Sequence, residues 1–177
     1  MPKQVINPPH CSDQISIAIE QSVKEHEEKS SKMILHKRRV DRILRANGMT
    51  RIPIPPDGDC FFTILSNHLR MPVIMVRSQI VDHLLTYWSF YAPFFSGPKE
   101  KFVQAVLDIG KRGAWNDQCM DFVPQAASDL FVCEIVLICS GERPILTNRP
   151  KVSTKNKIWM AYLEVPENEH FDAVGRA

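Results

Sequence analysis

The stretch PPDGDCFFTILSNHL, residues 55 to 69, sets Cys60 directly after a Pro-Asp-Gly turn and directly before an apolar run. A helix that starts at this cysteine leaves its first backbone N–H groups without helical partners and places the positive end of its dipole beside the sulfur. That setting favours the thiolate, which is the nucleophilic form. Gly58 allows the backbone to approach a ligand closely, so the amides of Asp57, Gly58, Asp59 and Cys60 form a candidate cradle for an oxyanion. The plain alternative is a structural cysteine buried in an apolar run. The turn ahead of it favours a functional one.

A thiolate nucleophile works with a histidine, and the chain has six. His10, His26 and His36 fall in the N-terminal region, where solvated polar faces are expected. His68 and His83 fall on expected helices, where packing is the simpler role. His170 differs, because ENEHFDAV follows the strand-like run KIWMAYLEV. On an extended segment His170 and Asp172 point to the same side, since side chains repeat every two residues. A carboxylate so placed can hold the imidazole in one tautomer and stabilise its charged form. Cys60, His170 and Asp172 therefore make a coherent candidate triad.

The elements that must position them can be read from periodicity. Residues 1 to 11 contain three prolines and read as a loose leader. Ser12 and Asp13 are N-cap candidates for an amphipathic helix carrying Ile15, Ile19 and Val23. Ser30 and Ser31 break or dent that helix, and a second run through Leu35, Ile43 and Leu44 stops at Asn47-Gly48. RIPIPPDGD is an extended lead into a turn, and CFFTILSNHLR is a helix with Phe61, Ile64, Leu65 and either His68 or Leu69 facing inward. One helix is expected through Ile80, Leu84, Leu85 and Trp88 up to Pro93, and another over KEKFVQAVLDIGKRG. A further one lies around VPQAASDLF, with Asp121 as cap and Pro124 in the first turn. CEIVLIC, RPILTN and KIWMAYLEV are strands. Helices come first and sheet last, which indicates an α+β fold.

Bulk properties exclude several classes. The chain has 177 residues, 44% hydrophobic, enough for one domain with a core plus an appendage. A net charge of +2 calls for neither nucleic acid nor an anionic membrane. The cations Lys37, Arg38, Arg39, Arg42 and Arg45 have no interleaved aromatics, so a solvated helix face is the better reading. Cys11, Cys60, Cys119, Cys133 and Cys139 are odd in number and form no CxxC pair or zinc-type cluster, so no metal or cofactor is expected and a reducing compartment fits. Apolar runs are far shorter than the roughly 20 residues of a membrane span, and no basic-then-apolar leader opens the chain. A soluble, cytoplasmic protein is expected.

These residues resemble a known family, the ovarian-tumour (OTU) domain cysteine proteases, most of which are deubiquitinases. DGDCFF at 57 to 62 is similar to the family's D-G-x-C-[LF]-[FY] motif, and HFDAV at 170 to 174 to its H-[YF]-[DN]-x-[VL] motif on the last strand. Between them, GAWNDQCMDFVPQAASDLFVCEIVLI is similar to the family's G-x-W segment followed by a helix and a strand. The resemblance implies a papain-like α+β fold, a small central sheet flanked by helices, with an N-terminal helical extension over 1–35 and the catalytic domain over 36–177. It also implies metal-independent cleavage of the isopeptide bond after the C-terminal glycine of ubiquitin. Cys60 would be the nucleophile, His170 the base and later the acid, and Asp172 the residue orienting His170. Asp57 would shape the oxyanion loop. Four positions make three departures from the pattern: Asp59 stands where Asn is commoner, Asn116 and Asp117 where glycine is frequent, and Pro124 enters the next helix. The last two bear on the substrate channel and so on linkage preference.

The first helix carries a separate hint. ISIAIEQSVKE resembles a ubiquitin-interacting motif through Ile15, Ala18, Ser22 and Glu25, with a small alanine for ubiquitin's apolar patch. Only Asp13 represents the usual acidic cluster, and a helix that simply packs on the domain is the competing reading. Two other functions also compete with an active deubiquitinase. One is a catalytically inactive OTU-fold ubiquitin-binding module, and the other is a basic adaptor that holds RNA or a partner through residues 32 to 45.

Overall fold

The computed structural model describes residues 11–115, 117–165 and 169–177. Helix α1 spans Cys11–Ala46 without a break. The expected interruption at Ser30-Ser31 does not occur, because serine costs a helix interior only a few tenths of a kcal/mol and its flanks are good helix formers. Ser12 and Asp13, the expected cap candidates, fall within the helical span Cys11–Ala46. The chain divides into two units at Leu35 and His36. In the first, Ile15, Ile17, Ile19 and Val23 are exposed. In the second, α1 buries Val40 and Leu44 completely and is followed by a turn through Gly48, whose φ is +65°.

The second unit is built on a five-stranded sheet: β1 (Met49–Ile52), β2 (Glu134–Cys139), β3 (Ile145–Asn148), β4 (Lys157–Leu163) and β5 (His170–Arg176). The strand order is β1-β5-β4-β2-β3, antiparallel except for the parallel pair β2 and β4. β2 and most of β4 are buried, which explains their unbroken apolar runs. The one strand outside the expected C-terminal block is β1. Its sequence, Met-Thr-Arg-Ile, is short and alternates half-buried with exposed positions, as suits an edge strand. The α+β class stands, with this early strand added to the sheet.

Helix α2 (Cys60–Leu69) buries Cys60, Phe61, Phe62, Ile64 and Leu65. Its last turn leaves His68 exposed and Leu69 half-buried, and Arg70 ends it in the left-handed conformation. Helix α3 (Val73–Thr86) is shorter than expected. The chain breaks at Tyr87 and continues as α4 (Trp88–Tyr91) and a 3-10 turn over Ala92–Phe94. The Tyr91 ring is buried there, and its hydroxyl donates to Asp129 Oδ2 at 2.9 Å. Helices α5 (Lys99–Ile109) and α6 (Val123–Phe131) complete the set, with Pro124 in the first turn of α6. The residue at the α6 N-cap is Phe122, and Asp121 ends the preceding 3-10 turn with its side chain exposed. No helix among the described residues is long and apolar enough to cross a membrane.

Candidate active site

β5 places His170 and Asp172 on one face, and the imidazole Nε2 lies 2.9 Å from Asp172 Oδ1. Asp172 is locked from three directions. Its Oδ1 also accepts the Ile54 N–H at 2.7 Å, and its Oδ2 accepts Arg51 Nη1 at 2.7 Å. Burial works against its charge, but these bonds outweigh burial and hold the carboxyl below its ordinary range. With Nε2 committed to the carboxylate, the second ring nitrogen, Nδ1, is buried without a hydrogen bond of ordinary geometry. Cys60 at the start of α2 is the neighbour that couples to this ring. Burial disfavours the imidazolium, yet Asp172 and Cys60 together outweigh it and push the His170 pKa up to about 9. The three expected triad side chains thus come together.

The loop before Cys60 is tightly tied. Asp57 Oδ1 accepts the Asp59 N–H at 2.9 Å, closing the turn, so that amide is unavailable to a ligand. This corrects the expected cradle. The Cys60 N–H, at the first helical position, has no partner within the helix and remains a candidate oxyanion donor. Gly58 has φ +75°, and a Cβ placed on it would sit 2.0 Å from the Gly113 carbonyl oxygen. Glycine is required there by both conformation and space.

Among solved structures, the OTU domain of OTUD1 aligns with a TM-score of 0.62 at 22% identity, covering 83% of this chain and 99% of that one. The OTU domain fold is the fold of this chain. The viral OTU protease of Dera Ghazi Khan virus gives 0.52 at 14% identity, covering 73% of this chain and 81% of its own. The Hazara virus OTU, solved bound to ubiquitin, gives 0.50 at 16% identity over 75% and 84%. No family model matches the chain, and no curated protein does.

Two arginines at this site have no counterpart among the residues indicated by sequence. Arg77 on α3 is fully buried, and its guanidinium binds the loop before Cys60 to the segment after α5. Nε donates to Asp59 Oδ1 at 2.7 Å, Nη2 to the Gly58 carbonyl at 2.6 Å, and Nη1 to the carbonyls of Ile109 and Ala114. Its charged plane lies 3.8 Å from the Phe62 ring centre. Asp59 Oδ1 also accepts the Gly113 N–H at 3.1 Å. An aspartate at position 59 therefore supplies the counter-charge for a buried cation. A signal was available, because Arg77 keeps helical phase with Ile80 and Leu84 on the buried face. Arg51 on β1 had no comparable signal, since four residues establish little periodicity.

Beyond the triad, Trp115 packs against Phe61, Phe62 and Phe171, with ring centres 5.3–6.0 Å apart. Glu169, directly before His170, accepts the Trp115 indole N–H at 3.3 Å and the Tyr162 hydroxyl. The strand entrance carrying His170 is thereby fastened to the Trp115 segment. Asn116 lies outside the described residues.

The remaining histidines and cysteines take other roles. His36 is half-buried and bonded to Ser140 Oγ at 2.7 Å, not on the solvated face expected for it. His83 Nε2 lies 2.9 Å from the Tyr91 hydroxyl, His26 and His68 are exposed, and His10 lies outside the described residues. Burial pushes the Cys133 thiol up to about 11 and, aided by Glu164, the Cys139 thiol up to about 12, so both are poor nucleophiles. Among the described residues no group of three or more His, Cys, Asp or Glu side chains is arranged to hold a metal ion.

Proposed function

We propose that this OTU domain is a thiol-dependent deubiquitinase, cleaving the isopeptide bond after the C-terminal glycine of ubiquitin. The observation that carries the reading is the convergence of Cys60, His170 and Asp172, with His170 held in its charged form by the other two. The Cys60 thiolate attacks the glycine carbonyl. The Cys60 N–H, at the mouth of α2, takes the developing oxyanion. His170 gives its proton to the departing lysine amine, leaving a thioester on Cys60. His170 then removes a proton from water, which hydrolyses the thioester and releases ubiquitin. Asp172 keeps the imidazole aligned through both steps, and Asp57 acts by closing the turn that presents the amide.

Ubiquitin as the partner is supported by the Hazara virus OTU, whose solved structure holds it. A second ubiquitin contact belongs to the segment 1–35, where Ile15 is exposed in the motif with Ala18 and Ser22. The catalytic domain then occupies 36–177. A cytoplasmic location suits a chemistry that needs a reduced thiol, and Cys60, Cys133 and Cys139 are all free.

The test is reaction of the purified chain with ubiquitin bearing a C-terminal electrophile, beside Cys60→Ala, read by intact mass. One adduct, absent from the variant, is expected. An adduct of equal yield in Cys60→Ala, or none from the folded wild type, overturns the reading and favours a non-catalytic ubiquitin-binding module.

A further inference from the structure

The register of the sheet places a cation behind the triad. Val174 lies two residues after Asp172 and shares its face of β5, and Val174 is the direct partner of Arg51 on β1. Arg51 therefore rises on the same face as His170 and Asp172, one strand across and diagonal to Asp172, within reach of a long side chain. Its guanidinium spans two carboxylates. Nη1 donates to Asp172 Oδ2 at 2.7 Å, while Nε and Nη2 grip Asp41 of α1 in a forked pair at 2.9 and 3.2 Å. Burial opposes the Arg51 charge, but the Asp41 bond, the largest influence on this group, and Asp172 outweigh burial. The Arg51 side chain is 15% exposed, and that of Asp172 only 2%.

Without Arg51, Asp172 keeps contacts on Oδ1 alone, from Ile54 N–H and His170 Nε2, and its plane can pivot about that oxygen. A second fixed oxygen removes this freedom. Fork-shaped binding of Asp41 fixes the arginine in turn, so the restraint on the imidazole begins on α1 and crosses β1 to reach β5.

We propose that Arg51, braced by Asp41, is a positioning residue that fixes the Asp172 carboxylate plane against His170. The inference rests on the deubiquitinase reading for its kinetic consequence. The charged or titratable groups around His170 are Cys60 from α2, Asp172 on β5, Arg51 from β1 behind it, and Glu169 just before the strand.

The test compares Arg51→Met, Arg51→Lys and Asp41→Asn by kcat and KM on a fluorogenic ubiquitin amide, and by the proton NMR signal of His170 Nε2–H shared with Asp172. Arg51→Met is expected to lose roughly 10- to 100-fold in kcat, the size associated with about 1 Å of misplacement. Its KM should stay within about twofold, because the lost contact lies behind the reacting groups. Arg51→Lys restores a cation and one bond, so most of the kcat returns, and Asp41→Asn loses less than Arg51→Met. The shared-proton signal should shift or broaden in Arg51→Met and return in Arg51→Lys. Arg51→Met with wild-type kcat and an unmoved signal overturns the proposal. So does a loss that follows melting temperature alone and is not rescued by lysine. The NMR readout needs no substrate, so a wild type inert toward ubiquitin refutes the deubiquitinase reading while the signal still tests the positioning role.

Discussion

Replacing Gly58 with alanine tests whether the loop before Cys60 works by close contact with the segment after α5. Two costs can be separated. At φ +75° a left-handed conformation costs an L-residue about 1–2 kcal/mol. The new Cβ would also start 2.0 Å from the Gly113 carbonyl oxygen, so the two backbones must part by about 1 Å or more. Strain and overpacking together amount to about 2–5 kcal/mol, a fall in melting temperature of about 4–20 °C for a domain of this size. Because Gly113 N–H is bonded to Asp59, the same movement displaces the amide of Cys60. A shift of about 1 Å at an oxyanion donor lowers kcat about 100-fold. Gly48→Ala is the internal control: its φ is +65°, but a Cβ there meets nothing within 4 Å. It should share the strain, losing about 1–2 kcal/mol, while keeping kcat. Both variants are assayed by thermal melting and by turnover of a fluorogenic ubiquitin amide well below their melting points. Gly58→Ala turning over within threefold of wild type, or Gly48→Ala losing kcat to the same degree, would refute the reasoning.

Two further outcomes are expected. The folded-state pKa of His170 is raised from 6.5 to about 9, so the stability it contributes is full below pH 6.5 and is lost as pH rises through 9. That contribution is on the order of 3 kcal/mol, and urea unfolding from pH 6 to 9.5 should show the decline. The decline should shrink in Cys60→Ala, which lacks one of the two groups that raise His170, and an undiminished decline in His170→Gln would assign it to another residue. For the N-terminal helix, Ala18→Arg should weaken ubiquitin binding by the Cys60→Ala chain about tenfold, measured by NMR titration, because a long side chain holds the surfaces apart. In the otherwise wild-type chain it should leave hydrolysis of a ubiquitin amide unchanged. Unaltered binding would count against a second ubiquitin contact.

Legibility from sequence followed the length of the pattern. The α2 helix, the strands β2 and β4 and the H-x-D alternation on β5 all rest on local periodicity, and each formed where its residues indicated. The break at Tyr87 is not legible in the local pattern, and the short helix that follows it is fastened by Tyr91 to Asp129, a partner 38 residues away. β1 overlaps only the first two residues of the extended lead RIPIPPDGD, and its place in the sheet comes from pairing with β5 more than 100 residues later. The oxyanion cradle was over-counted for a related reason. Amide positions can be listed from sequence, but the capture of the Asp59 N–H by the Asp57 side chain depends on the geometry of the folded turn.

Arg77 reaches the segment after α5 through backbone oxygens, the carbonyls of Ile109 and Ala114. A cation that grips main chain is indifferent to most side chains mounted there. Arg112, whose side chain is 91% exposed, lies 3.7 Å from Asp59 Oδ2 and adds only a solvent-screened cation to the carboxylate that Arg77 holds, whereas Gly113 is constrained by its φ of +71° and its nearness to Asp57. The Arg77 bonds to Ile109 and Ala114 thus hold the main chain on either side of Arg112 whatever side chains those two positions carry. The register of the loop and the identity of its side chains are in this way assigned to different atoms of the same stretch of chain.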